Sequence, residues 1–118
     1  MAATDELSLV FGALADPTRR DILSRLGDRA VTVGDLASNY AMSRPAISQH
    51  LAVLENAGLI ARTINAQWRE VTVREKGLDE ASEWIAKHKA DWNDRFDFLE
   101  ERIRAKRAER HTEQGSDT

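Results

Sequence analysis

Apolar residues recur at helical spacing through four short stretches of the chain, alternate through two extended ones, and then return to a single long helical repeat. Leu7, Val10, Phe11 and Leu14 fall on one face after Thr4-Asp5-Glu6, where Thr4 can cap and the acids favour a helix start. Asp16-Pro17 opens a second helix with Ile22, Leu23 and Leu26 inward, and Gly27 stops it. Thr32 with Asp35 makes a capping box in which Asp stands for Glu, and Leu36, Ala37 and Tyr40 give a short third helix an apolar side that ends at Ala41-Met42. Ser43 caps a fourth helix with Pro45 in its first turn, a narrow stripe of Ile47, Leu51 and Leu54, and Gly58 where a left-handed residue closes it. Leu59 to Asn65 and Trp68 to Val73 then predict a β-hairpin around Ala66-Gln67. From about Leu78 to Arg110 there is no Gly or Pro, which predicts one helix roughly 45 to 50 Å long, and 111–118 reads as a disordered tail.

Three short helices, a fourth with a sparse apolar stripe, then a hairpin, is the order of a winged helix-turn-helix, α-α-α-α-β-β-α, mainly helical with a small hairpin. With 118 residues the chain suits one core, so a single domain is expected over 1–110, its last helix from about 78 serving dimerisation. The apolar and charged fractions, 42% and 31%, are those of an ordinary globular protein and exclude a disordered or fibrous class.

Net charge is −3, which argues against nucleic acid until it is divided along the chain. Residues 1–42 hold four Arg against six acids, 43–78 hold five Lys and Arg against three acids, and 79–118 hold eight against eleven. The fourth helix and the hairpin therefore carry the basic balance, as a local phosphate-binding face requires. No cysteine is present, which excludes disulfides, thiolate metal sites and thiol nucleophiles. No apolar run suits a membrane span and the first residues do not form a basic, apolar leader, so a soluble cytoplasmic protein is expected. An enzyme is not expected, for there is no glycine-rich phosphate loop, no metal cluster and no nucleophile with a base.

With Ile47, Leu51 and Leu54 taken as buried, the outward side of the fourth helix holds Pro45, Ser48, Gln49, Ala52 and Asn56, flanked by Arg44 and Glu55. Small and hydrogen-bonding residues let such a helix approach base edges, where Gln pairs with adenine, Arg with guanine and Ser with either. Ser48 and Gln49 are the first candidates for readers; the other reading is a merely solvated face. His50, at the edge of the stripe, either touches phosphate or packs. In the hairpin Arg62 and Arg69 bracket the turn with Thr63, Asn65, Gln67 and Trp68, a tip suited to phosphates or a minor groove with Arg69 the first candidate, and Arg pairing to Glu55 or Glu70 is the alternative. Arg19, Arg20 and Arg25 read mostly as a solvated face, one of them free for phosphate.

In the last helix Leu78, Ile85, Trp92 and Leu99 recur every seven residues, and Phe96 and Ile103 add the alternate heptad position. The helix outruns the core it could cover, so Ile85, Trp92, Phe96, Leu99 and Ile103, with Leu7, Val10 and Phe11 of the first helix, are expected to pair with a second copy. Folding back onto its own domain is the alternative. Trp84 and Phe98 fall off this seam and are expected in a core, with the lining of a pocket as the alternative.

Leu14-Ala15-Asp16-Pro17-Thr18-Arg19-Arg20-Asp21-Ile22-Leu23, and Ser43 to Leu51 running on through Leu54 to Ile60, resemble the ArsR family of bacterial transcription regulators. The resemblance spans about residues 7–78 and implies a homodimeric repressor of double-stranded DNA that leaves its operator when a signal arrives. Many relatives sense metal through Cys-x-Cys in the third helix, where this chain has Thr32-Val33-Gly34-Asp35. Others use paired His and Asp motifs in the last helix, of which His88-Lys89-Ala90-Asp91 imitates one half. No metal and no cofactor are expected, and a small-molecule effector is left open. A winged-helix module that binds a partner protein without specific DNA binding is the competing function.

Overall fold

The structure, a computed structural model, describes residues 5–116, with side chains through residue 110. Thr4 lies outside the described residues, and Asp5 caps the first helix by accepting from the Ser8 amide at 2.6 Å. The elements are α1 (Glu6–Leu14), α2 (Pro17–Leu26), β1 (Val31–Thr32), α3 (Val33–Ala37), α4 (Arg44–Asn56), β2 (Ile60–Asn65), β3 (Trp68–Val73) and α5 (Glu75–Ser116). The chain divides after Ser82 into two compact units.

The first unit forms because each short helix has a stop, a start and one apolar side. Asp16 caps α2 by accepting from the Arg19 amide at 3.0 Å with Pro17 at the first helical position, and Gly27 ends it at φ +54. Thr32 caps α3 by accepting from the Asp35 amide at 3.1 Å. Ile22 and Leu26 of α2, Leu36 of α3 and Ile47, Leu51 and Leu54 of α4 are fully buried together with Val10 of α1. Burial of seven such side chains from four helices is the dominant force holding them against one another.

The sheet contains one strand that the sequence pattern does not announce. β1 pairs antiparallel with β3, Val31 opposite Val71 and Thr32 opposite Glu70, giving the strand order β1-β3-β2. The order is therefore α-α-β-α-α-β-β-α; two residues are too few to show alternation, and only the neighbouring β3 makes them a strand. α3 is also shorter than its apolar pattern suggests, ending at Ala37, with Tyr40 in the turn that follows.

α5 begins three residues before Leu78. A Cβ on Gly77 would stand 2.9 Å from the Ala57 carbonyl oxygen and 3.1 Å from Leu59 Cδ2, so the missing side chain lets the first turn of α5 lie directly on the exit of α4. Ala81, one turn later, is buried in the same core.

The second unit, from Glu83, is the remainder of α5. The helix runs on through 111–116, six residues of the stretch read as a tail, since 111–114 contains no Gly or Pro to stop it. Trp84 and Phe98, expected in a core, are 40% and 62% exposed. A helical face becomes core only where another element covers it, and spacing along one helix carries no information about that. His88 stacks on Trp84 with ring centroids 4.0 Å apart, its Nδ1 lying 2.8 Å from the Trp84 carbonyl oxygen, and meets Trp92 edge-on at 6.2 Å. Among the described residues, no helix is long and apolar enough to cross a membrane.

Candidate nucleic-acid interface

α4 is built to present one face. Ser43 accepts from the Ala46 amide at 3.3 Å, Pro45 sits in the first turn, and the fully buried Ile47, Leu51 and Leu54 fix the rotation of the helix. That rotation leaves Arg44, Pro45, Ser48, Gln49 and Asn56 exposed and Ala52 half-buried. The C-terminal end closes through Gly58 at φ +75, whose amide donates to the Glu55 carbonyl at 3.0 Å while the Leu59 amide donates to that of Leu54 at 3.0 Å. The chain turns at once into β2, so the hairpin stands a fixed few residues from α4.

Between α3, the start of α4 and the base of the hairpin tip lies an open groove of about 540 Å³. Arg44 and Ser48 line it from α4, Gln67, Trp68 and Arg69 from the hairpin, and residues 32–35 from the third wall. Arg44 Nη2 comes within 3.3 Å of where a Cβ on Gly34 would be, so Gly34 leaves room for the guanidinium above α3. Among the described residues, neither the Arg44 nor the Arg69 side chain makes a hydrogen bond or ion pair, which leaves one cation lining the groove from α4 and one from the hairpin. Asp35 is the acid within it. The part played by residues 32–35 carries no sequence signal, because they reach the hairpin only through the pairing of β1 with β3.

Two of the expected DNA contacts are engaged inside the chain. Arg62 Nη2 donates to Glu55 Oε1 at 2.9 Å, and this contact holds the Glu55 carboxyl below its usual range. Arg62 faces the same side of the sheet as the buried Val71, its register partner, which turns it toward α4. It therefore braces the hairpin against α4. His50 is half-buried against the start of α2, its Nδ1 3.4 Å from Arg19 Nη1 and 3.9 Å from Asp16 Oδ2. The arrangement follows from its position at the edge of the buried stripe, and the packing alternative describes it.

The three arginines of α2 are likewise occupied. Arg19 donates from Nε to the Ala13 carbonyl at 2.8 Å and from Nη2 to that of Gly12 at 3.0 Å, while Arg20 donates to that of Leu14 at 2.7 Å. Together they satisfy three of the orphan carbonyls at the end of α1, made reachable by the two-residue link to α2. Arg25 Nε donates to Asp21 Oδ2 at 2.8 Å, the same oxygen that accepts from the Tyr40 hydroxyl at 2.6 Å. These two donors depress the Asp21 carboxyl, Tyr40 first. Burial, then donation to Asp21, pushes the Tyr40 hydroxyl up to about 12.

Of the residues expected to pair two copies, Val10 is wholly taken up by the core of its own chain and Leu7 and Phe11 are half-buried against that core. The geometry removes Val10 from any contact with a second copy, because its side of α1 faces inward. Ile85, Trp92, Phe96, Leu99 and Ile103 are all exposed.

Comparison with known proteins points the same way. The family profile described as bacterial regulatory protein, arsR family, matches residues 16–62. The chain is 36% identical over 76 residues to the transcriptional repressor SdpR of Bacillus subtilis, a match covering 64% of this chain and 84% of that protein. It is similar to the crystal structure of an ArsR family transcriptional regulator at a TM-score of 0.71 and 31% identity, covering 75% of this chain and 98% of the other. An ArsR-like transcriptional regulator from Rhodococcus sp. RHA1 matches at a TM-score of 0.70 and 30% identity, covering 80% and 89%.

Proposed function

Because the chain belongs to the ArsR family of bacterial transcription regulators and regulates transcription by binding DNA, we propose that it is a homodimeric repressor of a pseudo-palindromic operator. α4 enters two successive major grooves roughly 34 Å apart, with Ser48 and Gln49 on base edges and Arg44, Pro45 and Ala52 close to the strand they follow. Arg69 and Gln67 reach the flanking backbone. The exposed seam of α5 pairs with that of a second copy, which places the two reading helices about one twofold axis. The protein acts in the cytoplasm without catalysis, and an effector, where one exists, is a small molecule.

The observation that carries this reading is the outward Ser48 and Gln49 beside a groove bounded by two unpaired arginines. Fluorescence anisotropy on genomic fragments tests it. Gln49→Ala costs about 1 to 3 kcal/mol on the specific site and little on random DNA, while Arg69→Ala weakens both and lowers the salt slope by about one. Equal binding of all sequences by the wild type refutes specific readout, and no binding at low salt favours the partner-protein reading. Deleting the gene raises transcription from the bound promoter if the protein represses, and lowers it if it activates.

A further inference from the structure

Two large apolar side chains stand where the hairpin turns, and neither the core nor the ion pairs account for them. Ile64 is 76% exposed and Trp68 is 56% exposed, on strands whose other ends hold the buried Ile60 and Val71. The register sets Ile64 opposite Arg69 and Asn65 opposite Trp68, so Ile64 and Arg69 share one face and Trp68 takes the other. Only Ala66-Gln67 joins the strands, with Ala66 at φ +55. The tip is thus narrow and stiff, with an apolar group on each face and a guanidinium beside one of them. Trp68 and Arg69 also line the groove shared with Arg44 and Ser48, which makes the apolar tip continuous with the reading surface. Glu70, the acid that follows Arg69, accepts from Asn65 Nδ2 at 3.3 Å.

A rigid apolar projection next to a cation has the chemistry of a minor-groove wedge, which unstacks a base step while the cation holds the backbone. We propose, resting on the DNA-binding reading above, that Trp68 enters the minor groove outside each half-site and partly opens one base step, with Arg69, the next residue of β3, on the adjoining phosphate. Pyrimidine–purine steps such as TA open most cheaply. The wing therefore selects a flexible step at a position that Ser48 and Gln49 never touch.

Full-length protein labelled with fluorotryptophan carries three reporters, and the Trp68 signal is the one lost in Trp68→Phe. That signal shifts on an operator extended by a TA step at the wing position, and stays in place on a duplex trimmed to the half-sites. Trp68→Ala weakens binding about tenfold on the TA-flanked operator and less than about twofold where a stiff A-tract replaces the step, and Trp68→Phe restores most of the preference. Equal losses on both flanks, or an unmoved Trp68 signal in a protein that binds its operator, would overturn the wedge and leave sequence reading intact. Failure of the wild type to bind any duplex at low salt would overturn both.

Discussion

α4 and the later part of α5 carry equally regular apolar stripes with opposite fates. Ile47, Leu51 and Leu54 of α4 are fully buried by the rest of their own unit, whereas Ile85, Trp92, Phe96, Leu99 and Ile103 of α5 remain open. Five large apolar groups left in water forgo stabilisation of roughly 25 cal/mol per Å² of apolar surface. A periodic stripe states that a face wants covering and is silent about what covers it. The closed stripe is part of a fold, while the open one is the face proposed to meet a second copy.

The sharpest way to break this contrast is to empty one position on each side of it. Leu51→Ala should lower stability in urea by about 2 to 5 kcal/mol, the cost of a cavity in a closed core; a loss below about 1 kcal/mol would mean that the core is looser than its burial implies. Ile85→Ser combined with Leu99→Ser should weaken self-association in sedimentation by about thirtyfold or more, as loss of central interface residues does. The resulting monomer should keep the intrinsic stability of residues 5–82 within about 0.5 kcal/mol. Unchanged association would show that the open stripe is not the pairing face.

Gly77→Ala probes the closed first turn of α5. Its new methyl would meet the Ala57 carbonyl at 2.9 Å, and denaturation should report a loss of about 1 to 3 kcal/mol from overpacking, against a gain if that turn lay open. Alkaline titration tests a polar contact of the same closed unit. The Tyr40 hydroxyl is raised to about 12 in the fold, against about 10 in an unfolded chain. Its contribution is then complete below about pH 10 and lost as pH rises toward about 12. Tyr40 is the single tyrosine, so tyrosinate absorbance follows it directly, and Tyr40→Phe should remove that part of the alkaline loss. The smallest effect is expected at the hairpin tip, where Ala66→Gly relieves a left-handed alanine at φ +55 and should raise stability by about 1 kcal/mol.

Much of this arrangement is legible in the sequence. Caps and stops are local chemistry, which is why Asp16-Pro17, Ser43 and Gly58 mark the ends of α2 and α4 where the structure has them. The outward turn of Ser48 and Gln49 follows from three apolar residues at helical spacing. Contacts between distant residues left no such trace. The bridge from Arg62 to Glu55, the seat of His50 on Arg19 and Asp16, and the use of Arg19 and Arg20 by the α1 carbonyls each depend on which elements meet. An arginine reads alike in sequence whether it waits for phosphate or closes a neighbouring helix.

The chain's own order of residues determined the four short helices, the hairpin and the rotation of α4, because capping and hydrophobic periodicity act over a few residues. Tertiary structure alone decided that Val31 and Thr32 become a strand, that α5 starts at Glu75, and that Arg44 and Arg69 face one groove while Arg62 does not. Those outcomes depend on distances between elements far apart in the chain, and a one-dimensional pattern has no term for such distances until the core has closed.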